Sequence, residues 1–217
     1  PHENHEFAFD KLNSKADVDR FFRTIFPDFH DMMPDIADKW EDHPLSNLAI
    51  IRCYPWAAGK VGLMGDAAHA TVPFYGQGMN AGFEDCRVLN ELMLKHNHDW
   101  DAIWAEYSPL RKPNGDALQD LSLDNYIEMR DLVADPSFLL RKKIEAKFNQ
   151  LYPNKWLPLY SQVTFSNIPY SVAYEQGKKQ RNIMDVIMAQ PDIETNWDSP
   201  EIMQAILNEC STFNFQT

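Results

Sequence analysis

From residue 99 to the end of the 217-residue chain, strand signals nearly vanish and apolar residues recur at helical spacing. The stretches "DAIWAEY", "DALQDLSLDNYIEMRDLV", "SFLLRKKIEAKF" and "YSVAYEQGKKQRNIMDVIM" carry this pattern. Pro109, Pro113, Pro136, Pro153 and Pro158 are expected to break it into separate helices, since proline removes a helix donor and crowds the preceding turn. A last helix is expected at "DSPE", with Ser199 as its cap and Pro200 in its first turn. The second half of the chain therefore reads as a helical domain.

The first hundred residues read differently. Ser14 followed by Asp17 forms a capping-box pattern ahead of Val18, Phe21, Phe22 and Ile25, which predicts a helix over 15–26. Short helices are expected at "DFHDMM" and, with Pro34 at its start, at "DIADKWED". Strands are expected at the end of "HEFAFDKL", at "LSNLAIIRCY" and at "KVGLM". A helix over 78–96 places Met79, Phe83, Cys86, Leu89 and Met93 at spacings of four, three, three and four, predicted to be its buried face. The fold class is an α/β fragment followed by a mainly α-helical C-terminal domain.

Composition excludes several functions. The net charge of -12 argues against nucleic acid or an anionic membrane as partner, since both need clustered Lys and Arg. No run approaches the roughly 20 apolar residues of a membrane span, so the chain reads as soluble. Cys53, Cys86 and Cys210 stand far apart with no CxxC spacing, which fits reduced core thiols in a cytoplasm better than a disulfide framework or a zinc site. Neither "PHENH" nor "HNHD" offers converging metal ligands, and no Ser-His-Asp or Cys-His nucleophile stands out. Pro1 opens the chain without an initiator Met, so the sequence is expected to be truncated.

The stretch "GDAAHATVPFYGQGMNAG", residues 65–82, concentrates the chemistry. Gly65 lets the backbone approach a ligand, and Asp66 offers a carboxylate just past a strand end, suited to a sugar or polyol hydroxyl. Gly76, Gly78 and the amides after them open a helix, whose unpaired N–H groups and dipole attract a pyrophosphate or a flavin ring edge. The formal GxGxxA match at residues 76–81 is not a dinucleotide fingerprint, because a long turn through Pro73 separates it from the strand. The bland alternative assigns the glycines to tight turns and Asp66 to a cap; finding all these features together favours a ligand site. His69 reads as a packing and hydrogen-bonding element rather than a general base.

Further on, Leu118, Leu121, Asn125, Met129 and Leu132 recur at helical spacing, so a predicted buried face carries an amide in its middle. A buried amide needs partners, either neighbouring backbone or a polar ligand between helices. Tyr160, in a proline-bracketed segment, reads alone as a packing anchor with its hydroxyl paired.

"GDAAHATVPFYGQGMN" resembles the second flavin-binding motif of the FAD-dependent aromatic hydroxylases, with wording similar to the kynurenine 3-monooxygenase group. "LDNYIEMRD" and "WLPLYSQVTFS" are similar to the helical C-terminal part of that group. The resemblance implies FAD as cofactor, with Gly65, Asp66, Pro73, Gly76, Gln77, Gly78, Met79 and Asn80 around it. It also implies substrate contacts from Phe74, Asn125, Met129 and Tyr160, while Glu128, a helix-face carboxylate, is less well supported. No metal and no catalytic side chain are implied, because the flavin carries the chemistry.

The implied fold is a Rossmann-type FAD-binding domain with a substrate-domain sheet. Residues 1–59 would end the substrate domain, 60–98 form the second half of the FAD-binding domain, and 99–217 the helical domain covering the active site. The implied reaction is hydroxylation of L-kynurenine to 3-hydroxykynurenine with NADPH and O2. The N-terminal GxGxxG unit is absent, so the chain is expected to need a missing N-terminal half and to be inactive alone. Eukaryotic members end in a membrane anchor, whereas "NECSTFNFQT" is polar and short, so the resemblance implies a soluble bacterial-type protein, expected in the cytoplasm. The alternatives are a related flavin hydroxylase of another aromatic acid, or a non-catalytic helical interaction module retaining a flavin motif.

Overall fold

A computed structural model describes residues 5–43 and 46–211. Contacts divide the chain into two compact units, Pro1–Leu48 and Ala49–Thr217.

In the first unit, α1 (Lys15–Ile25) starts where Ser14 Oγ accepts the Asp17 N–H at 3.2 Å, as the capping pattern predicts. It is followed by α2 (Pro27–Met32) and by α3 (Ile36–Lys39), which tightens into a 3-10 turn at Trp40–Asp42. Val18 and Phe21 of α1 bury against Phe7 and Leu12, with Phe22, Ala37 and Trp40 around them. The strand expected in "HEFAFDKL" is instead a 3-10 turn, Phe9–Lys11. Phe7 and Ala8 are adjacent and both buried, which a strand with one wet face cannot arrange. The local bonds Ala8 N–H to His5 O and Lys11 N–H to Ala8 O occupy the backbone instead.

Of the strand expected at "LSNLAIIRCY", Leu45 lies outside the described residues, and residues 46–54 hold no regular structure. The Ile51 N–H donates to Ala70 O, and Ile51 O accepts from Gln119 Nε2, so a turn and a side chain take the place of a neighbouring strand. "KVGLM" contributes two residues: β1 (Ala57–Ala58) pairs antiparallel with β2 (Val61–Gly62), Ala57 opposite Gly62. A Cβ at Gly62 would meet the Trp104 ring at 2.3 Å, so only glycine lets that indole lie on the backbone.

The rest is helical. A single turn α4 (Asp66–His69) and a 3-10 turn at Pro73–Tyr75 lead into α5 (Gly78–Lys95) and the long α6 (Trp100–Ile127). A π-helical turn (Glu128–Leu132) closes α6. Then follow α7 (Pro136–Leu151), α8 (Leu159–Phe165), α9 (Tyr170–Met188), α10 (Ile193–Asn196) and α11 (Pro200–Ser211). Ser199 Oγ accepts the Ile202 N–H at the start of α11, the expected cap.

Two helices depart from expectation. α6 runs through Pro109 and Pro113, four residues apart and both exposed. The carbonyls deprived of donors thus lie on the wet side of the helix, where water can serve them. On α5 the buried residues are Ala81, Asp85, Val88 and Leu92, whereas Met79 and Phe83 are 71% and 65% exposed. The second unit selects the stripe with small residues and one carboxylate over the bulkier apolar stripe.

One core joins Trp56, Val88, Leu92, Ile103 and Tyr107; another joins Tyr75, Leu121, Val163 and Ala173. The largest gathers Ile144, Phe148, Trp156, Ile183, Met184 and Ile206 from α7, α9, α11 and the link after α7. All three cysteines are free, but only Cys210 is buried, and Cys86 on α5 is exposed, against the expectation of core thiols. Burial, helped by the Glu209 carboxylate, pushes the Cys210 thiol up to about 11. A thiol-reactive disulfide reagent at pH 8 should therefore label Cys86 rapidly and Cys210 only after unfolding. Comparable native-state rates, followed by peptide mass mapping, would contradict this burial.

Candidate functional site

The site is built around the turn that leaves β2. Gly65 has φ +58° and ψ -142°, a conformation costly for any residue with a Cβ, and it sets Asp66 at the start of α4. Asp66 is exposed, and its carboxylate has no partner among the described residues. Gly65 lies against Gly82 of α5, where a Cβ would stand 4.0 Å from the Gly82 Cα. The chain then turns through Pro73–Tyr75 and Gly76, whose φ of +66° is left-handed, before α5 begins.

The start of α5 is open. Gln77 makes no side-chain cap, and the N–H groups of Gly78, Met79 and Asn80 have no partner among the described residues. Gln77 is buried, and its Oε1 accepts from Asn80 Nδ2 at 2.8 Å and from the Tyr170 hydroxyl at 3.4 Å. A cleft of about 760 Å³ opens beside this point, lined by Gln77, Asn80, Phe83 and Tyr170 among others. An unpartnered carboxylate and an uncapped helix start thus lie at either end of one glycine-hinged loop, a donor and acceptor set that fits a nucleotide's phosphates and hydroxyls.

Beneath the loop lies a buried ionic centre. Asp85 is 0% exposed, His69 2% and Arg111 3%. Asp85 Oδ2 accepts the Gly65 N–H at 2.9 Å and faces His69 Nε2 at 2.6 Å, while Oδ1 accepts from Arg111 Nε at 2.7 Å. Arg111 also reaches Glu84 Oε2 at 2.9 Å and Ala81 O at 3.4 Å. Burial pushes the Asp85 carboxyl up, but the bonds from His69, the Gly65 N–H and Arg111 outweigh it and hold the group below the ordinary carboxylate range. His69 therefore packs and pairs, with Trp56 5.3 Å from its ring.

α6 grips the loop itself at two points. Gln119 Nε2 donates to Ala70 O at 2.9 Å, and Asn125 Nδ2 donates to Phe74 O at 2.8 Å. Asn125 also lies 3.7 Å from Met129 Sδ, the Phe74 ring is 4.6 Å from that of Tyr126, and Tyr160 stacks on Tyr75 at 5.7 Å. Phe74, Asn125, Met129 and Tyr160 are thus brought into one neighbourhood. The predicted stripe is buried only at Leu118 and Leu121; Asn125 is half-buried, and Met129 and Leu132 are exposed. Asn125 is accordingly not a core amide: backbone takes one N–H, and its Oδ1 has no partner among the described residues. The Tyr160 hydroxyl, read as paired, has no partner among the described residues.

Residues 32–122 match the FAD binding domain family, a span covering the turn, α5 and most of α6. Over 204 residues the chain is 47% identical to a kynurenine 3-monooxygenase of Christiangramia forsetii, covering 94% of this chain and 46% of that protein. The chain is thus a relative of the kynurenine 3-monooxygenases. The Flavobacterium johnsoniae member is 46% identical over 203 residues, covering 93% of the chain, and that of Candida albicans 41% over 177 residues, covering 80%. The chain spans less than half the length of these relatives.

The match makes FAD the cofactor of the chain, and the exposed Asp66 carboxylate and the open amides of α5 are an acceptor and donors of the kind such a group needs. Among the described residues no helix is long and apolar enough to cross a membrane, and no group of three or more His, Cys, Asp and Glu could hold a metal ion. The sequence reading missed Asp85, Arg111 and Gln119. Asp85, between Ala81 and Val88, and Arg111, between Tyr107 and Leu118, each interrupt an apolar stripe, whereas Gln119, with Gly115, Asp116 and Ser122 as helix neighbours, carries no such signal.

Proposed function

We propose that the chain is the part of an FAD-dependent aromatic monooxygenase that holds the flavin's ribityl and pyrophosphate region and roofs the substrate ring. The whole protein would hydroxylate L-kynurenine to 3-hydroxykynurenine in the cytoplasm, with NADPH and O2. The remaining length found in its relatives would complete the Rossmann-type domain and the substrate-domain sheet. In that arrangement residues 1–59 end the substrate domain, 60–98 the FAD-binding domain, and 99–217 form the helical cover.

Asp66 would accept a ribityl hydroxyl, and the amides of Gly78, Met79 and Asn80 would receive a phosphate or the ring edge. Gly65 and Gly76 would give the backbone its approach, with Pro73 and Gln77 flanking the ring. Bound FAD, reduced by NADPH, would activate dioxygen and deliver one oxygen atom to the ring, the other leaving as water. The protein's share is to exclude water and to aim the ring. Phe74 and Met129 would supply apolar wall, while Asn125 Oδ1 and the Tyr160 hydroxyl would meet the substrate's amino-acid end.

The observation that carries this reading is the exposed, unpartnered Asp66 carboxylate on a glycine-only turn, facing the same loop as an uncapped helix start. Titrating the chain with FAD, followed by flavin fluorescence and absorbance, should show saturable binding. Asp66→Ala should weaken it about tenfold, the worth of one hydrogen bond to a charged group. Asn125→Ala and Tyr160→Ala should leave FAD bound but abolish the spectral change on adding L-kynurenine. Equal FAD affinity in wild type and Asp66→Ala would remove the cofactor assignment; another aromatic acid giving the larger change would replace the substrate.

A further inference from the structure

We infer that Asp85 is a positioning residue for the cofactor turn: it clamps both ends of the Gly65–His69 segment and so fixes where the Asp66 carboxylate stands relative to the open amides of α5. The inference rests on the flavin reading above and assigns a task to three residues that touch no ligand.

The geometry singles out this group. Asp85 Oδ2 takes the Gly65 N–H from one side of Asp66 and faces His69 Nε2 on the other. Asp66 is therefore bracketed by two bonds to a single oxygen atom, itself fully buried. Asp85 belongs to the helix whose first residue is Gly78, seven positions earlier, or about 10 Å at 1.5 Å per residue. Turn and helix start are thereby joined through one rigid element. Arg111 Nε holds the other carboxylate oxygen, and its remaining nitrogens are taken by Glu84 and Ala81 O, so the carboxylate has little freedom to rotate.

Stability alone does not call for this arrangement. A buried ion pair is often no better for folding than well-packed apolar side chains of equal volume, and the rest of this α5 face is Ala81, Val88 and Leu92. What an apolar residue at position 85 could not do is accept the Gly65 N–H. Gly65 would then keep only the bonds its carbonyl accepts from the Ala68 and His69 N–H groups, its own N–H would lose its partner, and the entry of the chain into Asp66 would be less firmly fixed.

The test uses the intact chain with Asp85→Asn, His69→Ala and His69→Gln. FAD affinity is measured at a temperature where circular dichroism shows each variant folded, so that destabilisation does not enter the dissociation constant. Asp85→Asn and His69→Ala are expected to weaken FAD about tenfold each, the scale of a lost charge-assisted contact, and His69→Gln, whose amide can reach the carboxylate, to recover most of it. Hydrogen exchange is read in parallel on residues 65–69, with α9 as reference. Faster exchange there in His69→Ala than in His69→Gln, with α9 unchanged, supports the clamp.

Should Asp85→Asn not fold, the two His69 variants decide the matter. A wild-type chain that takes up no FAD would count against the flavin reading for this chain; exchange at residues 65–69 would then judge the clamp alone. Wild-type FAD affinity in folded Asp85→Asn, His69→Gln no better than His69→Ala, or equal exchange in both would overturn it.

Discussion

Arg111→Met is expected to lower the stability of the chain by about 3–5 kcal/mol, read as a fall in the urea midpoint at pH 7. The substitution keeps volume but leaves Asp85 buried without its cation, facing only His69 and the Gly65 N–H. The pH dependence supplies its own control. The folded-state pKa of Asp85 is depressed below the unfolded value of about 3.9, so the stabilisation is fully present above that value and is lost as pH falls through the folded one. Wild type and variant should therefore converge in acid. A gap of constant size from pH 7 to pH 3 would mean that Arg111 acts through packing rather than charge.

Phe148→Ala should cost about 3–5 kcal/mol by a different route, the transfer term of a large buried ring plus the cavity left behind. Phe148 is fully buried in the largest core, with Tyr152 and Trp156 rings at 5.0 and 5.7 Å. No charge is involved, so this loss should persist across pH. A loss below about 1 kcal/mol in urea unfolding would show that α7, α9 and α11 repack around the void.

The longer helices were legible, because capping residues and apolar spacing are local signals, whereas the short ones at Asp66–His69, Leu159–Phe165 and Ile193–Asn196 were not. Ser14, Pro136 and Ser199 mark starts that the structure keeps. Tertiary decisions were not legible. Periodicity offered two stripes on α5, and the buried one carries Asp85, whose partners Gly65, His69 and Arg111 lie elsewhere in the chain. Pro109 and Pro113 were read as breaks, yet both stand on the exposed side, a placement that only the partner helices define. In the strand read at "LSNLAIIRCY", the backbone groups of Ile51 are taken by Ala70 and Gln119, partners far away in sequence.

The site was half legible for the same reason. Glycines at positive φ and a carboxylate beside them form a local pattern, so residues 65–80 stood out. Asp85 and Arg111 form a pair only after α5 and α6 have packed, and a lone charge in a helix reads as surface.

The two holds of α6 on the cofactor loop, from Gln119 and Asn125, together with the hold of Arg111 on Asp85 of α5, make that helix a ruler. Its side chains must arrive at fixed heights and fixed angles along a single rod. An extra or missing residue between positions 111 and 125 would turn everything beyond it by about 100° and swing at least one hold away from the loop. Between those positions, side chains facing away from the loop are free to vary in kind, while the number of residues is set by the spacing of carbonyls on the loop opposite.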